Sequence, residues 1–298
     1  MENQKVEMLE NIEVKTKEKK DIFDEGRKDQ NYRADITKGE ISAHWFFFWR
    51  MFGKAKKMNK RIKIDINHYT EEYRYRWMQK ISKKVLKVAK IRLHVFGQEN
   101  WLDKGVVLAP NHQSNLDPLV LFVLNDWSKT QPVAFMAKKE MWDSDKTARF
   151  VNLIDCVSLD RNSPRSALDA MNQAKTLITK YRRSFVIFPE GTRSGTEKMA
   201  EFQAASMKIG QMAYCPIIPV TIIDSYKLNR KDRPKVINVK VVFGKPILPE
   251  KFMSIKTDML TRNVQKEVQF NYDKYKDFDL KTNKPVAYNK KTKVKYYS

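Results

Sequence analysis

The hydrophobic residues after Lys90 occur in short runs that are separated by longer segments of helical periodicity. Runs rich in Val, Ile, Leu and Phe, bounded by Gly, Pro, Asn or Asp, are typical of buried strands. They predict strands at 91–96, 105–110, 132–137, 156–159, 184–188, 216–223 and 236–243. The intervening segments predict helices at about 117–127, 144–153, 164–181 and 203–213, and a last helix at about 256–272.

This alternation predicts an α/β domain over residues 91–272, with a largely parallel mixed sheet of about seven strands flanked by helices. A chain of 298 residues is long enough for one such domain with helical additions. Ligands of open α/β sheets bind at the carboxyl ends of the strands. The polar residues that follow each predicted strand are therefore the first candidates for a functional site.

A different pattern occupies residues 41–90, which hold 14 basic and only 3 acidic side chains among many aromatic ones. Helical spacing places one aromatic stripe on a single face: Trp45, Phe48, Trp49 and Phe52. A second apolar stripe consists of Trp77, Ile81, Val85 and Val88. The segment is therefore predicted to form an N-terminal pair of basic amphipathic helices, a type of helix that can bind a membrane surface. The alternative is that the aromatic stripe packs on the α/β domain.

The two ends of the chain carry weaker patterns. Residues 1–40 are densely charged, and we expect a disordered or loosely helical arm there. Residues 273–298 are expected to form an irregular basic tail. The N-terminus lacks the apolar core of a signal peptide, and no run approaches the roughly 18 apolar residues that a spanning helix needs. These observations predict a soluble or peripheral protein.

The charge balance adds a class of partner. The chain has 58 basic and 35 acidic residues, so its formal net charge is +23. Nucleic acid, anionic lipid and phosphorylated small molecules are all compatible with this excess of positive charge. The two cysteines, Cys156 and Cys215, form no CxxC pair and cannot build a disulfide framework, which fits a reducing compartment.

A candidate general base follows the predicted strand 105–110. His112 precedes Asp117 by five positions, a spacing at which the carboxylate can accept from one ring nitrogen and raise the basicity of the other. His94 and Glu99 have the same spacing. His94, however, lies inside an apolar run, which favours a packed core histidine, whereas His112 lies just beyond a strand end.

A candidate phosphate site follows the predicted strand 184–188. Glu190, Gly191, Thr192 and Arg193 form a polar turn there, in which a guanidinium fork, hydroxyls and turn amides could bind phosphate oxygens. An exposed Arg in an ordinary connection is the alternative. Two more strand ends carry cations, Lys138 and Arg161. Four strand ends thus point to one cationic crevice beside a base.

These segments resemble the lysophosphatidic acid acyltransferase family, also called 1-acylglycerol-3-phosphate acyltransferases. The resemblance extends from about Val95 to Gly244 and includes NHQSNLD at 111–117, FMAKKEM at 135–141, CVSLDR at 156–161, FPEGTRS at 188–194 and IIPVTI at 217–222. It implies transfer of a fatty acyl group from a thioester of coenzyme A or acyl carrier protein to the 2-hydroxyl of lysophosphatidic acid, which gives phosphatidic acid.

The resemblance also implies roles for individual residues. His112 would be the base and Asp117 its orienting partner, while Glu190, Gly191, Thr192 and Arg193 would bind the acceptor, with Lys138 and Arg161 beside them. One departure concerns the Phe-Lys-x-Gly element that usually follows FPEGTRS in this family. Here it reads Phe202-Gln203-Ala204-Ala205, so the acceptor could instead be glycerol 3-phosphate or another lysolipid.

This reaction needs neither a metal nor a cofactor, and no Cys or Ser is placed as an acyl-enzyme nucleophile, since Cys156 lies in an apolar run and Ser114 has no separate base. The family's acceptor is a lipid, so we expect attachment to an anionic membrane surface at the cytoplasmic face, peripheral or monotopic. A non-catalytic protein that binds anionic lipid or nucleic acid is the competing class. Nucleic acid is not the expected partner, because that interpretation leaves both polar strand ends unexplained.

Overall fold

The computed structural model describes residues 31–126, 130–290 and 292–297. The larger part of the predicted N-terminal arm, residues 1–30, lies outside the described residues, as does the predicted end of one helix at residue 127. The predicted α/β class is confirmed, with helices packed on a mixed sheet.

The described strands form one nine-stranded sheet in the order β4-β3-β5-β2-β6-β7-β1-β9-β8. Their bounds are β1 Ile91–Phe96, β2 Val106–Pro110, β3 Val133–Lys138, β4 Cys156–Leu159, β5 Ser184–Val186, β6 Ile217–Ile223, β7 Ile237–Phe243, β8 Ala287–Asn289 and β9 Val294–Tyr297. All pairings are parallel except β6 with β7 and β8 with β9. Every residue of β2 and β6 is buried, as both faces of a helix-covered sheet require.

The described α-helices are α1 Lys38–Ala43, α2 Trp45–Ile64, α3 Glu71–Val88, α4 Asp117–Leu124, α5 Glu140–Asp143, α6 Asp145–Val151, α7 Pro164–Thr179, α8 Lys208–Ala213 and α9 Thr257–Tyr275. Side-chain caps fix several of their starts. The Thr70 side chain accepts from the Tyr73 amide at the start of α3, and Ser163 caps α7, whose first residue is a proline. The helix predicted at 203–213 begins only at Lys208.

Both termini of the described chain differ from the sequence-based expectation. The tail contains β8 and β9, and β9 pairs with β1, so the prediction of an irregular tail is wrong. Val294 and Tyr297 are buried there, and covering the edge of β1 supplies the apolar contacts that the tail lacks locally. Residues 31–40 also pack on the domain, where Glu40 forms ion pairs with Arg33 and Arg233.

The helical pair α2 and α3 forms, but α3 belongs to the core. Its predicted stripe of Trp77, Ile81, Val85 and Val88 is buried. On α2 the buried positions are Phe48, Met51, Ala55 and Met58. Phe52 is half-buried against Phe150 of α6, with ring centroids 5.5 Å apart.

The exposed aromatic face of α2 therefore differs from the predicted one. Trp45, Phe46 and Trp49 are 63%, 53% and 65% exposed, whereas Phe48 faces the core. Phe46 stacks with Trp49, so the three rings form one cluster. At about 100° per residue, a run of exposed lysines continues the same side of the helix. These are Lys56, Lys57, Lys60 and Lys63. No helix in the described part of the chain combines the length and apolar character needed to cross a bilayer.

Candidate active site

The loop between β2 and α4 is tied to the neighbouring strand. The Asn111 side chain donates to the Ile222 carbonyl (2.9 Å) and accepts from the Ile222 amide (2.6 Å). Gln113 Oε1 accepts from the Ser225 amide (3.1 Å). Asn111 and Gln113 are buried, so the two bonded amides fix the loop that carries His112 onto the end of β6.

His112 and Asp117 form a hydrogen-bonded pair. The His112 Nδ1 lies 2.9 Å from Asp117 Oδ2, and because an ionised carboxylate can only accept, Nδ1 carries the proton. The Asp117 side chain is 0% exposed and that of His112 is 16% exposed. Among the described residues, no protein atom is hydrogen-bonded to Nε2. That nitrogen is left with a lone pair, and the His112 side chain keeps part of its surface exposed.

Asp117 is held by more than the histidine. Its Oδ2 also accepts from the amides of Gln113 (2.7 Å) and Ser114 (2.8 Å), and its Oδ1 accepts from Ser114 Oγ (2.8 Å). Four donors hold this buried carboxylate in one position. It can therefore orient the imidazole and stabilise the imidazolium that proton abstraction would create.

The buried Glu190 side chain connects the loop that carries His112 with the loop that follows β5. Its Oε1 accepts from the His112 amide (2.6 Å) and its Oε2 accepts from the Ala200 amide (2.7 Å). The Ser194 amide donates to the His112 carbonyl (2.8 Å). Glu190, which the sequence suggested as an acceptor-binding residue, thus lies under the site, where it holds the loops together.

The turn after Glu190 presents Arg193 to the crevice. Gly191 has φ +71°, a left-handed conformation that glycine adopts without strain, and it lets the chain reverse directly after Glu190. Thr192 and Arg193 are half-buried. The Arg193 Nη1 donates to Asn115 Oδ1, which joins this turn to the loop that carries His112.

The predicted cations Lys138, Arg161 and Arg193 are connected through their electrostatic effect on Lys138. The pKa of Lys138 lies below its ordinary value, chiefly because of burial, and the positive charges of Arg161 and Arg193 lower this pKa further. Arg161 and Arg193 therefore each lie close enough to Lys138 for their charges to act on its ammonium group. Such a cluster of cations favours an anion.

Other reactive side chains are unsuited to catalysis. Burial raises the pKa of the Cys156 thiol well above its ordinary value and that of Cys215 to about 12, so neither is a thiolate at neutral pH. The buried Ser114 hydroxyl is bonded to Asp117. His94 is buried between Tyr297 and Asn238, with a hydrogen bond to each, which confirms the prediction of a packed core histidine.

Three residues of the site escaped the sequence interpretation. Phe188 stacks on the His112 ring, Asn115 contacts Arg193, and Asp35 accepts a hydrogen bond from Asn115 (2.5 Å). Phe188 and Asn115 lie inside the two motifs, and their position there was the available signal. Asp35 lies in the charged N-terminal region, where no local pattern marks it.

Comparison with known proteins shows that the chain is similar to acyltransferases. The family model described as Acyltransferase matches residues 92–223. A Mycoplasma pneumoniae protein named "Probable 1-acyl-sn-glycerol-3-phosphate acyltransferase" is 30% identical over 220 residues, which are 70% of this chain and 81% of that protein. The 1-acyl-sn-glycerol-3-phosphate acyltransferase of Saccharomyces cerevisiae is 31% identical over 136 residues, 45% of this chain and 44% of the yeast protein.

A solved structure shows the same fold. The crystal structure of the 1-acyl-sn-glycerophosphate (LPA) acyltransferase from Thermotoga maritima matches with a TM-score of 0.61 at 24% sequence identity. The match covers 81% of this chain and 94% of the Thermotoga protein.

Proposed function

The chain belongs to the family of 1-acyl-sn-glycerol-3-phosphate acyltransferases, and from this premise we propose that it transfers a fatty acyl group from an acyl thioester to the 2-hydroxyl of lysophosphatidic acid. The thioester is that of coenzyme A or acyl carrier protein. The observation that carries the proposal is the His112–Asp117 pair, whose Nε2 has no hydrogen-bond partner among the described residues, together with the cations Lys138, Arg161 and Arg193.

His112 is the general base in this proposal. Asp117 keeps the proton on Nδ1, so Nε2 can take the proton of the acceptor hydroxyl as its oxygen attacks the thioester carbonyl. The new ester C–O bond forms, the C–S bond breaks, and the imidazolium returns its proton to the departing thiolate. General-base assistance of this kind contributes roughly 10²–10⁴-fold to the rate.

The cationic cluster positions the acceptor. In this proposal Arg193 binds the phosphate through its guanidinium fork, and Lys138 and Arg161 add positive charge. Holding the phosphate fixes the hydroxyl near His112, because both groups belong to one small glycerol unit. Restricting the acceptor in this way lowers the entropic part of the barrier.

The exposed face of α2 is proposed to dock on an anionic membrane surface. The cluster of Trp45, Phe46 and Trp49 supplies apolar area for the headgroup boundary, and the lysines that follow on the same side supply charge. Each basic residue near an anionic leaflet contributes about 1 kcal/mol. The proposed location is therefore the cytoplasmic face of the cell membrane, with peripheral or monotopic attachment.

The proposal is tested with purified protein, lysophosphatidic acid and acyl-CoA or acyl-ACP, scored for phosphatidic acid by chromatography. Glycerol 3-phosphate and other lysolipids are run in parallel, because Gln203 stands where the family usually has lysine. The matched pair of variants is His112→Ala and His68→Ala, since His68 is exposed between α2 and α3. Acylation should fall by roughly 10²–10⁴-fold in the first variant and stay near the wild-type rate in the second. Absence of product with every acceptor would leave a non-catalytic anionic-lipid protein as the better interpretation.

A further inference from the structure

A short N-terminal segment reaches the candidate active site. Residues 31–37 are here called the strap, and residues 31–33 at its start run antiparallel to residues 229–231. The Arg33 amide donates to the Asn229 carbonyl (2.8 Å), and the Lys231 amide donates to the Asn31 carbonyl (2.8 Å). The strap ends at Thr37, which caps α1. It therefore has a fixed path between the domain and the helices that follow.

Asp35 of the strap accepts hydrogen bonds from two asparagine side chains, Asn229 and Asn115. Its Oδ1 accepts from Asn229 Nδ2 (2.9 Å), and its Oδ2 accepts from Asn115 Nδ2 (2.5 Å). The other end of the same Asn115 amide, Oδ1, accepts from Arg193. Asp35, Asn115 and Arg193 thus form a polar chain from the strap to the cationic crevice.

The order of donors and acceptors in this chain is fixed by chemistry. A carboxylate can only accept and a guanidinium can only donate, so the Asn115 amide satisfies both neighbours in one orientation alone. Without Asp35 the amide is free to turn its NH2 group towards Arg193, which would repel the guanidinium. We propose that Asp35 is a positioning residue that holds Arg193 for the acceptor phosphate through Asn115.

This inference rests on the proposed function, and it adds a connection between two parts of it. The strap continues into α1 and α2, so the segment that bears the exposed aromatic cluster is the same one that orients Arg193. The phosphate site and the proposed docking helix therefore share one tether.

The experiment compares Asp35→Ala, Asn115→Ala and the double variant in acyl transfer to lysophosphatidic acid. Each single variant should raise the acceptor KM about 3- to 10-fold, the size expected for one hydrogen bond, and leave kcat and the donor KM within about twofold. The double variant should match Asn115→Ala, because the described hydrogen bonds connect Asp35 to Arg193 through Asn115. Asp35→Asn keeps an acceptor oxygen and should recover part of the loss.

A strap that merely stabilises the fold predicts other results. Glu40→Gln is the matched control. Glu40 forms ion pairs with Arg33 of the strap and with Arg233 of the domain, and it has no bond to Asn115. Equal effects of Glu40→Gln and Asp35→Ala on the acceptor KM, or multiplicative effects in the double variant, would overturn the inference.

Binding of glycerol 3-phosphate, measured as a ligand-dependent rise in Tm, gives a readout that is independent of acyl transfer. Asp35→Ala should weaken this binding by the same factor as it raises the acceptor KM. An active wild-type enzyme whose Arg193→Ala variant loses acceptor affinity while Asp35→Ala does not would overturn the positioning role alone. A wild-type protein without activity would refute the proposed function instead.

Discussion

Phe188 covers one face of the His112 imidazole, with ring centroids 4.0 Å apart and ring planes inclined by 27°. The Asp117 carboxylate fixes the same ring at Nδ1. Two contacts from different segments therefore restrict rotation of the imidazole. One of them is polar and comes from within the loop, and the other is apolar and comes from the neighbouring motif.

Removal of the ring contact should slow the reaction. Stacked aromatic pairs contribute about 0.5–1.5 kcal/mol beyond simple burial, so Phe188→Ala is expected to lower kcat about 2- to 10-fold. Phe188→Tyr keeps the ring and should stay close to wild type. The measurement is steady-state kinetics with both substrates saturating, and an unchanged kcat in Phe188→Ala would mean that Asp117 alone orients His112.

His112 and Asp117 should behave as one catalytic unit. Substitution of either by Ala is expected to lower kcat on the order of 10²–10⁴-fold, and the double variant should lose little more, because residues that act together are non-additive. Circular dichroism checks that each variant is folded, since Asp117 also bonds two amides. Near-normal turnover in folded His112→Ala would refute the general-base mechanism.

Arg193 should determine affinity for the acceptor. Arg193→Ala is expected to raise the KM for lysophosphatidic acid far more than the KM for the thioester. Arg193→Lys should recover only part of the loss, since an ammonium cannot form the bidentate fork. Initial rates with each substrate varied in turn separate the two constants. A rise confined to the thioester KM would assign Arg193 to the donor.

The docking face is tested with the positions that the structure exposes. Replacing Phe46 and Trp49 by Ser should weaken flotation with liposomes at every salt concentration, because buried apolar area is insensitive to screening. Phe270→Ser is the matched control, since Phe270 is 63% exposed on α9. Equal flotation of this control and the double variant would place the membrane contact elsewhere.

The lysines of the same face should contribute the part that depends on salt. Replacing Lys56, Lys57, Lys60 and Lys63 by Gln is expected to lower flotation with anionic liposomes at low ionic strength. At high ionic strength the variant and the wild type should float to a similar extent, because exposed charges are screened over about 8–10 Å. Liposomes without anionic lipid are the control, and an equal loss on them would show that the lysines act other than through charge.

Arg183 should stabilise the fold far more than a surface arginine does. It is buried and pairs with Glu71 of α3 and with Asp155 just before β4. Arg183→Ala is expected to lower the free energy of unfolding by about 1–3 kcal/mol. Arg76→Ala, which removes an exposed pair with Glu72, should cost less than about 0.5 kcal/mol. Urea unfolding of both variants measures the difference, and equal midpoints would contradict it.

The sequence by itself determined the elements whose signal is local. Strands such as β1 and β4 appear as short, largely apolar runs, and their predicted bounds agree with the structure. The position of His112 just after β2 could be predicted from the sequence as well, because a strand end and the polar turn beyond it are neighbours in the chain. The five-residue spacing to Asp117 also lies within one loop and one helix start.

Only the tertiary structure decided which side of α2 faces inwards. From Trp45 to Phe52 nearly every position is apolar, so periodicity alone cannot choose between Phe48 and Phe46. The choice falls to the packing partner, and α2 packs on α6 through Phe52 and Phe150. The tail is a similar case, since β9 pairs with the edge of β1, a strand that is distant in the sequence.

The contacts that complete the site join residues far apart in the chain. Glu190 holds the His112 amide across 78 positions, and Asp35 holds Asn115 across 80. Neither contact can be predicted from the neighbouring sequence. The sequence around a loop carboxylate does not show whether the carboxylate will be solvated or will bind a buried amide. The residue types at this site could therefore be identified from the sequence. Only the tertiary structure decided which of them are exposed at the site and which are buried and hold its loops together.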